Sequence, residues 1–216
     1  MSVDVKICGL KSPEAVEAAV DGGALYFGFV FCPRSPRVVD TKTAQDLCRR
    51  IPSSRFSVGL FVDPTDVLLS EVLETVPLDM IQLHGHETPQ RIQEIKEKTA
   101  RPVIKALGLC NEADLSVVPS YEDVADMLLL DAGGPGEAGY GGRGQSFDWN
   151  LLTKVTLSKH WILAGGLCET NLEEAVRKTK APIVDVSSGV EEALGIKSPE
   201  KIRTFLKRAR QIETCC

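Results

Sequence analysis

Cys8 closes the run Val5-Lys6-Ile7-Cys8-Gly9. Side chains two apart on a strand share a face, so Cys8 points with Lys6 and away from Val3, Val5 and Ile7. Free cysteine usually packs as a small hydrophobe, and a buried inert thiol is the competing reading. A cysteine that stands off the apolar face, against the chain-reversing Gly9, is instead placed for chemistry. Asp131 follows four apolar residues, where an unpaired buried carboxylate would be expensive. A helix cap or a salt bridge at a loop start is its alternative. Together the two make a base and an acid once each is tuned, because near neutral pH an ordinary thiol is mostly protonated and an ordinary aspartate mostly ionised. Holding Asp131 protonated needs a rise of roughly three pH units, about 4 kcal/mol, which burial beside apolar side chains can supply. Cys8 needs a nearby cation, and Lys6 is the nearest candidate in sequence.

The same parity recurs elsewhere. Gln82 and His84 oppose Ile81 and Leu83, Asp185 and Ser187 oppose Val184 and Val186, Lys105 opposes Ile104 and Ala106, and Asp131 opposes Leu128 and Leu130. His84 either lines a site or is satisfied by a backbone partner. Pro33-Arg34-Ser35-Pro36-Arg37 offers two guanidinium groups on a loop stiffened by two prolines, suited to bidentate capture of a carboxylate. Solvated surface arginines are the plainer reading. Gly165-Gly166 and Ser187-Ser188-Gly189 combine open backbone N–H groups with hydroxyl donors, a combination that binds phosphate. Two ordinary turns would also fit.

Short β-rich runs near 3–8, 26–31, 57–62, 79–83, 102–107, 126–131, 160–164 and 182–187 must position these groups. Amphipathic stretches lie between them at 13–20, 43–50, 67–75, 89–98 and 171–178, with a closing helix at 199–212. Ser12, Thr88 and Ser198 each precede a proline, placing a capping hydroxyl before proline in a first turn. Strands alternating with helices imply parallel pairing, and eight such units in 216 residues predict a single (β/α)₈ barrel domain over 1–216. Its helix-covered face must be apolar, so the polar set, Lys105 included, is predicted to point into the lumen near the carboxyl ends of the strands. The glycine and serine pairs then fall on loops 7 and 8, the usual phosphate-binding loops of this fold.

The segment 133–144 holds seven glycines and twice spells G-x-G-x-x-G, at Gly134-Gly136-Gly139 and Gly139-Gly141-Gly144. Neither is a dinucleotide fingerprint, because the next helix starts only near Phe147-Asp148-Trp149. A substrate-embracing loop fits better. A net charge of -5 without a basic, aromatic-rich cluster argues against a nucleic-acid partner. The chain has neither a signal-peptide pattern nor a run of ~20 apolar residues, which predicts a cytoplasmic protein without a membrane partner. Seven cysteines form no C-x-x-C pair, and the three histidines give no zinc spacing, so reduced thiols and no metal site are expected, with Cys215 and Cys216 in a frayed tail.

Taken in order, Lys6-Ile7-Cys8-Gly9, Phe29-Val30-Phe31 leading to Ser35-Pro36-Arg37, Gln82-Leu83-His84-Gly85, Leu130-Asp131, Gly141-Gly142-Arg143-Gly144 with Phe147-Asp148-Trp149, Leu163-Ala164-Gly165-Gly166-Leu167 and Asp185-Val186-Ser187-Ser188-Gly189-Val190-Glu191 resemble the motifs of the phosphoribosylanthranilate isomerases. The resemblance implies a cofactor-free Amadori rearrangement of a phosphorylated small molecule in tryptophan biosynthesis, in a monomer or homodimer. It also implies residue roles: Asp131 as acid, Cys8 as base, Arg37 on the anthranilate carboxylate, and a substrate site completed by His84, Gly165, Gly166, Asp185, Ser187, Ser188 and Gly189. Two other readings compete: a barrel aldolase or decarboxylase using Lys6 or Lys105 as an amine, and a phosphosugar-binding barrel without turnover.

Overall fold

Eight parallel strands close into a ring in chain order, β1 pairing with both β2 and β8. They are β1 (Asp4–Cys8), β2 (Tyr26–Val30), β3 (Phe56–Phe61), β4 (Met80–Leu83), β5 (Val103–Gly108), β6 (Met127–Asp131), β7 (Trp161–Ala164) and β8 (Ile183–Val186). The computed structural model describes residues 3–131, 149–155 and 157–212. The segment 133–144 with Arg143, and Cys215 and Cys216, lie outside the described residues. All eight predicted strands are present. The helices are α1 (Pro13–Gly22), α2 (Thr41–Cys48), α3 (Asp66–Thr75), α4 (Pro89–Thr99), α5 (Val118–Glu122), α6 (Leu172–Thr179) and α7 (Pro199–Arg210).

The predicted caps form. Ser12, Thr88 and Ser198 accept from the N–H groups of Ala15, Arg91 and Lys201, each with proline in the first turn. The β5–β6 connection departs from a full helix: a 3-10 turn (Glu112–Val117) runs into the short α5. After β8 comes an antiparallel ribbon of β9 (Glu191–Ala193) and β10 (Ile196–Lys197), which the alternation of strand and helix did not predict.

Both faces of the barrel wall are apolar. Outward residues such as Ile7, Phe27, Phe29, Leu83, Leu130 and Val184 pack with Val16, Ile95 and Phe205 of the helices in one core. Inward residues Val58, Met80, Ile104, Ala106, Leu129 and Ile162 fill the lumen as a second core. Above them, Cys8, Val30, Cys32 and Leu60 form a small third cluster toward the carboxyl ends of the strands. Here one expectation is overturned. Lys105 is not in the lumen: Ile104 and Ala106 occupy the inner face of β5, and Lys105 follows Val103 and Leu107 outward. Its ammonium is 2.7 Å from Glu87 and 2.6 Å from the Gly85 carbonyl, and it lies 5.7 Å from the centre of the Tyr121 ring. A polar residue tolerates that face because its charge is matched there.

Candidate active site

Cys8, Arg37, His84, Asp131, Gly165, Gly166, Asp185, Ser187 and Ser188 line one cavity at the carboxyl ends of the strands. Arg34 is exposed, so of the two guanidinium groups only Arg37 lines the cavity. Gly189 does not line it. A Cβ there would stand 2.0 Å from the Leu167 carbonyl oxygen, so its bare backbone lets loop 8 press against loop 7.

Cys8 pairs across the ladder with Gly28, where a Cβ would come within 3.1 Å of Sγ and 3.2 Å of Lys6 Nζ. That empty position admits both groups. Lys6 Nζ is 2.8 Å from Asp185 and also hydrogen-bonds Cys8. Burial opposes the ammonium, but Asp185 and then Cys8 outweigh it and hold the Lys6 pKa above its usual value. Burial pushes the Cys8 thiol up, aided by Asp185 and countered by Lys6 and Lys197.

Lys197 and Glu191 were not singled out from the sequence for any role, although Glu191 closes the motif that starts at Asp185; its partner Arg37 lies 154 positions away. Glu191 takes Arg37 in a bidentate pair at 2.7 and 3.1 Å and Lys197 at 2.7 Å. Burial works against its charge, yet the hydrogen bonds from Arg37 and Lys197 hold its carboxyl at about 2. Lys197 also donates to the carbonyl and hydroxyl of Ser187, and the Ser187 hydroxyl donates to the Cys8 carbonyl. The β9–β10 ribbon therefore ties Arg37 to the strand end that carries the thiol.

Across the cavity, His84 Nε2 lies 3.7 Å from Asp131 Oδ2. Burial lowers the His84 pKa, against the pull of Asp131, which favours the neutral ring. In loop 7, Gly165 and Gly166 both take positive φ, 97° and 63°, a region that disfavours other residues. Asn171 pins that loop by donating to the Gly166 carbonyl and accepting from the Cys168 N–H. Among the described residues no group of three or more His, Cys, Asp or Glu could hold a metal ion, and no helix is long and apolar enough to cross a membrane.

Residues 5–208 match the family model of N-(5'-phosphoribosyl)anthranilate (PRA) isomerase. An N-(5'-phosphoribosyl)anthranilate isomerase from Paracoccus denitrificans is 53% identical over 210 residues, 97% of this chain and 98% of that protein. The crystal structure of phosphoribosyl anthranilate isomerase from Thermotoga maritima superposes with a TM-score of 0.86 at 35% identity, covering 96% of this chain and 98% of that one. Another, in complex with reduced 1-(o-carboxyphenylamino)-1-deoxyribulose 5-phosphate, gives a TM-score of 0.81 at 33% identity over 96% and 98%. The likeness runs from the first strand into the last helix, and the chain belongs to the N-(5'-phosphoribosyl)anthranilate isomerase family.

Proposed function

We propose that Cys8 and Asp131 are the base and acid with which this isomerase converts N-(5'-phosphoribosyl)anthranilate to 1-(2-carboxyphenylamino)-1-deoxyribulose 5-phosphate, an Amadori step of L-tryptophan biosynthesis. The carrying observation is that a thiol on β1 and a carboxyl on β6, three strands apart around the ring, face one cavity. Asp131 gives its proton to the furanose ring oxygen, and the sugar opens to a Schiff base. Cys8 removes the C2 proton to give an enolamine, which tautomerises to the ketone. Arg37, already oriented by Glu191, holds the anthranilate carboxylate. The phosphate rests on backbone N–H groups near Gly165, Gly166, Ser188 and Gly189, while His84, Asp185 and Ser187 line the space around the sugar. No cofactor takes part. The reading includes one barrel over 1–216, a cytoplasmic monomer or homodimer, and no nucleic-acid or membrane partner.

The aldolase reading has lost ground on geometry. Lys6 is fully buried against Asp185, and Lys105 lies outside the lumen. The test follows anthranilate-type fluorescence during turnover of freshly generated phosphoribosylanthranilate by wild type, Cys8→Ser and Asp131→Asn. Loss of substrate signal in wild type alone supports both roles. A variant with near-native turnover removes its residue from the reaction.

A further inference from the structure

Gln82 has no exposed surface, lines the same cavity and takes part in none of the steps above. Its amide nitrogen lies 3.3 Å from His84 Nδ1, while its Oε1 is buried without a hydrogen-bond partner among the described residues. With the amide nitrogen on that side, its hydrogens meet Nδ1 and Nδ1 accepts. The neutral ring then carries its hydrogen on Nε2, the atom 3.7 Å from Asp131.

We infer that Gln82 is a positioning residue that fixes His84 as the Nε2–H tautomer, so that the imidazole donates to the Asp131 carboxylate as that carboxylate forms. The inference rests on Asp131 being the acid. When Asp131 releases its proton to the ring oxygen, the charge left behind meets a donor already aimed at it. The apo separation is longer than a hydrogen bond and closes as the charge develops. The opposite tautomer would present a lone pair to the protonated carboxyl and compete with the substrate for its proton. An imidazolium would hold Asp131 ionised before the reaction began. Burial, Lys105 and Lys6 oppose that cation, whereas Asp131 and Asp185 favour it. The orientation of the amide leaves Oε1 unmatched in the lumen, an uncommon arrangement for a buried acceptor.

The direct test is the ¹⁵N spectrum of the imidazoles in labelled wild-type enzyme. The chain has only three histidines, and His84→Gln identifies the signal. The expected result is a protonated Nε2 and a bare Nδ1 on His84. A hydrogen on Nδ1 overturns the inference, whatever the activity. Kinetically, Gln82→Met should lower kcat about tenfold, one hydrogen bond's effect, with KM little changed. Gln82→Glu places an acceptor beside Nδ1 and favours the imidazolium, and a cation next to Asp131 lowers its pKa. The alkaline fall of kcat, where the acid loses its proton, should therefore begin at lower pH than in wild type. A purely packing role would leave that limb in place, and an unmoved limb in Gln82→Glu overturns the inference. Turnover retained by Asp131→Asn would instead remove the acid assignment while the tautomer result stood, so the two failures are distinguishable.

Discussion

Two lysines sit in the barrel wall with almost no exposed surface, one on each face, and both end on a carboxylate. Lys6 points inward and meets Asp185 at 2.8 Å; Lys105 points outward and meets Glu87 at 2.7 Å. Desolvation makes either arrangement costly unless every group is matched. What separates them is the company each pair keeps. Beside Lys6 stand the Cys8 thiol and the gap left by Gly28. Around Lys105 stands backbone: Glu87 accepts from the N–H groups of Asp63 and Gly85, so the pair fastens the loops after β3 and β4. One ion pair sets the charge beside the Cys8 thiol, and the other holds loops in place. The role of a buried charge thus follows from its neighbours rather than from its height on a strand.

Deleting the proposed base on the Lys6 side should give the largest effect. Cys8→Ala should lower kcat by roughly 10²–10⁴-fold in the fluorescence assay. Lys105→Met should lower kcat per folded molecule far less than Cys8→Ala, since it touches no reacting atom and reaches the site only through its charge on His84. If Lys105→Met crippled turnover of folded enzyme, the division between the two faces would collapse. Next come the stabilities. Lys6→Met and Lys105→Met each strand a carboxylate, and urea unfolding should show a loss of about 3–5 kcal/mol for both.

A pH profile sharpens the contrast. With Cys8 as the proposed base, active when deprotonated, kcat/KM should rise with pH through the thiol's pKa, which burial raises and Lys6 and Lys197 pull down. Lys6→Met removes one ammonium and leaves the charge of Asp185, so the rise should move to higher pH. Lys105→Met should leave it where it is. Arg37→Ala should increase KM about 10–100-fold with a smaller change in kcat, the effect of losing a hydrogen bond to a charged group. The exposed pair Arg49–Asp46 supplies the smallest effect: Arg49→Ala should shift unfolding by no more than about 0.5 kcal/mol.

Much of the frame was legible because it is written locally. Hydroxyl–proline pairs start helices at Ser12, Thr88 and Ser198, and β-rich runs set all eight strands. That Cys8, Asp131, Arg37 and loop 7 share one cavity was legible because a parallel barrel gathers its strand ends at one mouth. Lys105 was misread for a physical reason. In a barrel both faces of a strand are buried, so period-two alternation separates the faces without saying which is inside, and Ile104 and Ala106 were the lumen side. The pairing of Glu191 with Arg37 and Lys197 was illegible because a two-strand ribbon of three and two residues carries no periodicity, and Arg37 lies 154 positions from Glu191. The link between Gln82 and His84 follows from parity, but its hydrogen-bond direction needs coordinates.

The contact between Gly189 and the Leu167 carbonyl has a thermodynamic consequence. Loops 7 and 8 leave different strands, and as independent segments each would lose conformational freedom when an anion drew them together. Locked backbone to backbone, with Asn171 fastening the turn below, they lose that freedom when the chain folds. A phosphate bound there, as proposed, would meet a preorganised cradle, leaving more of its interaction energy to bind the substrate.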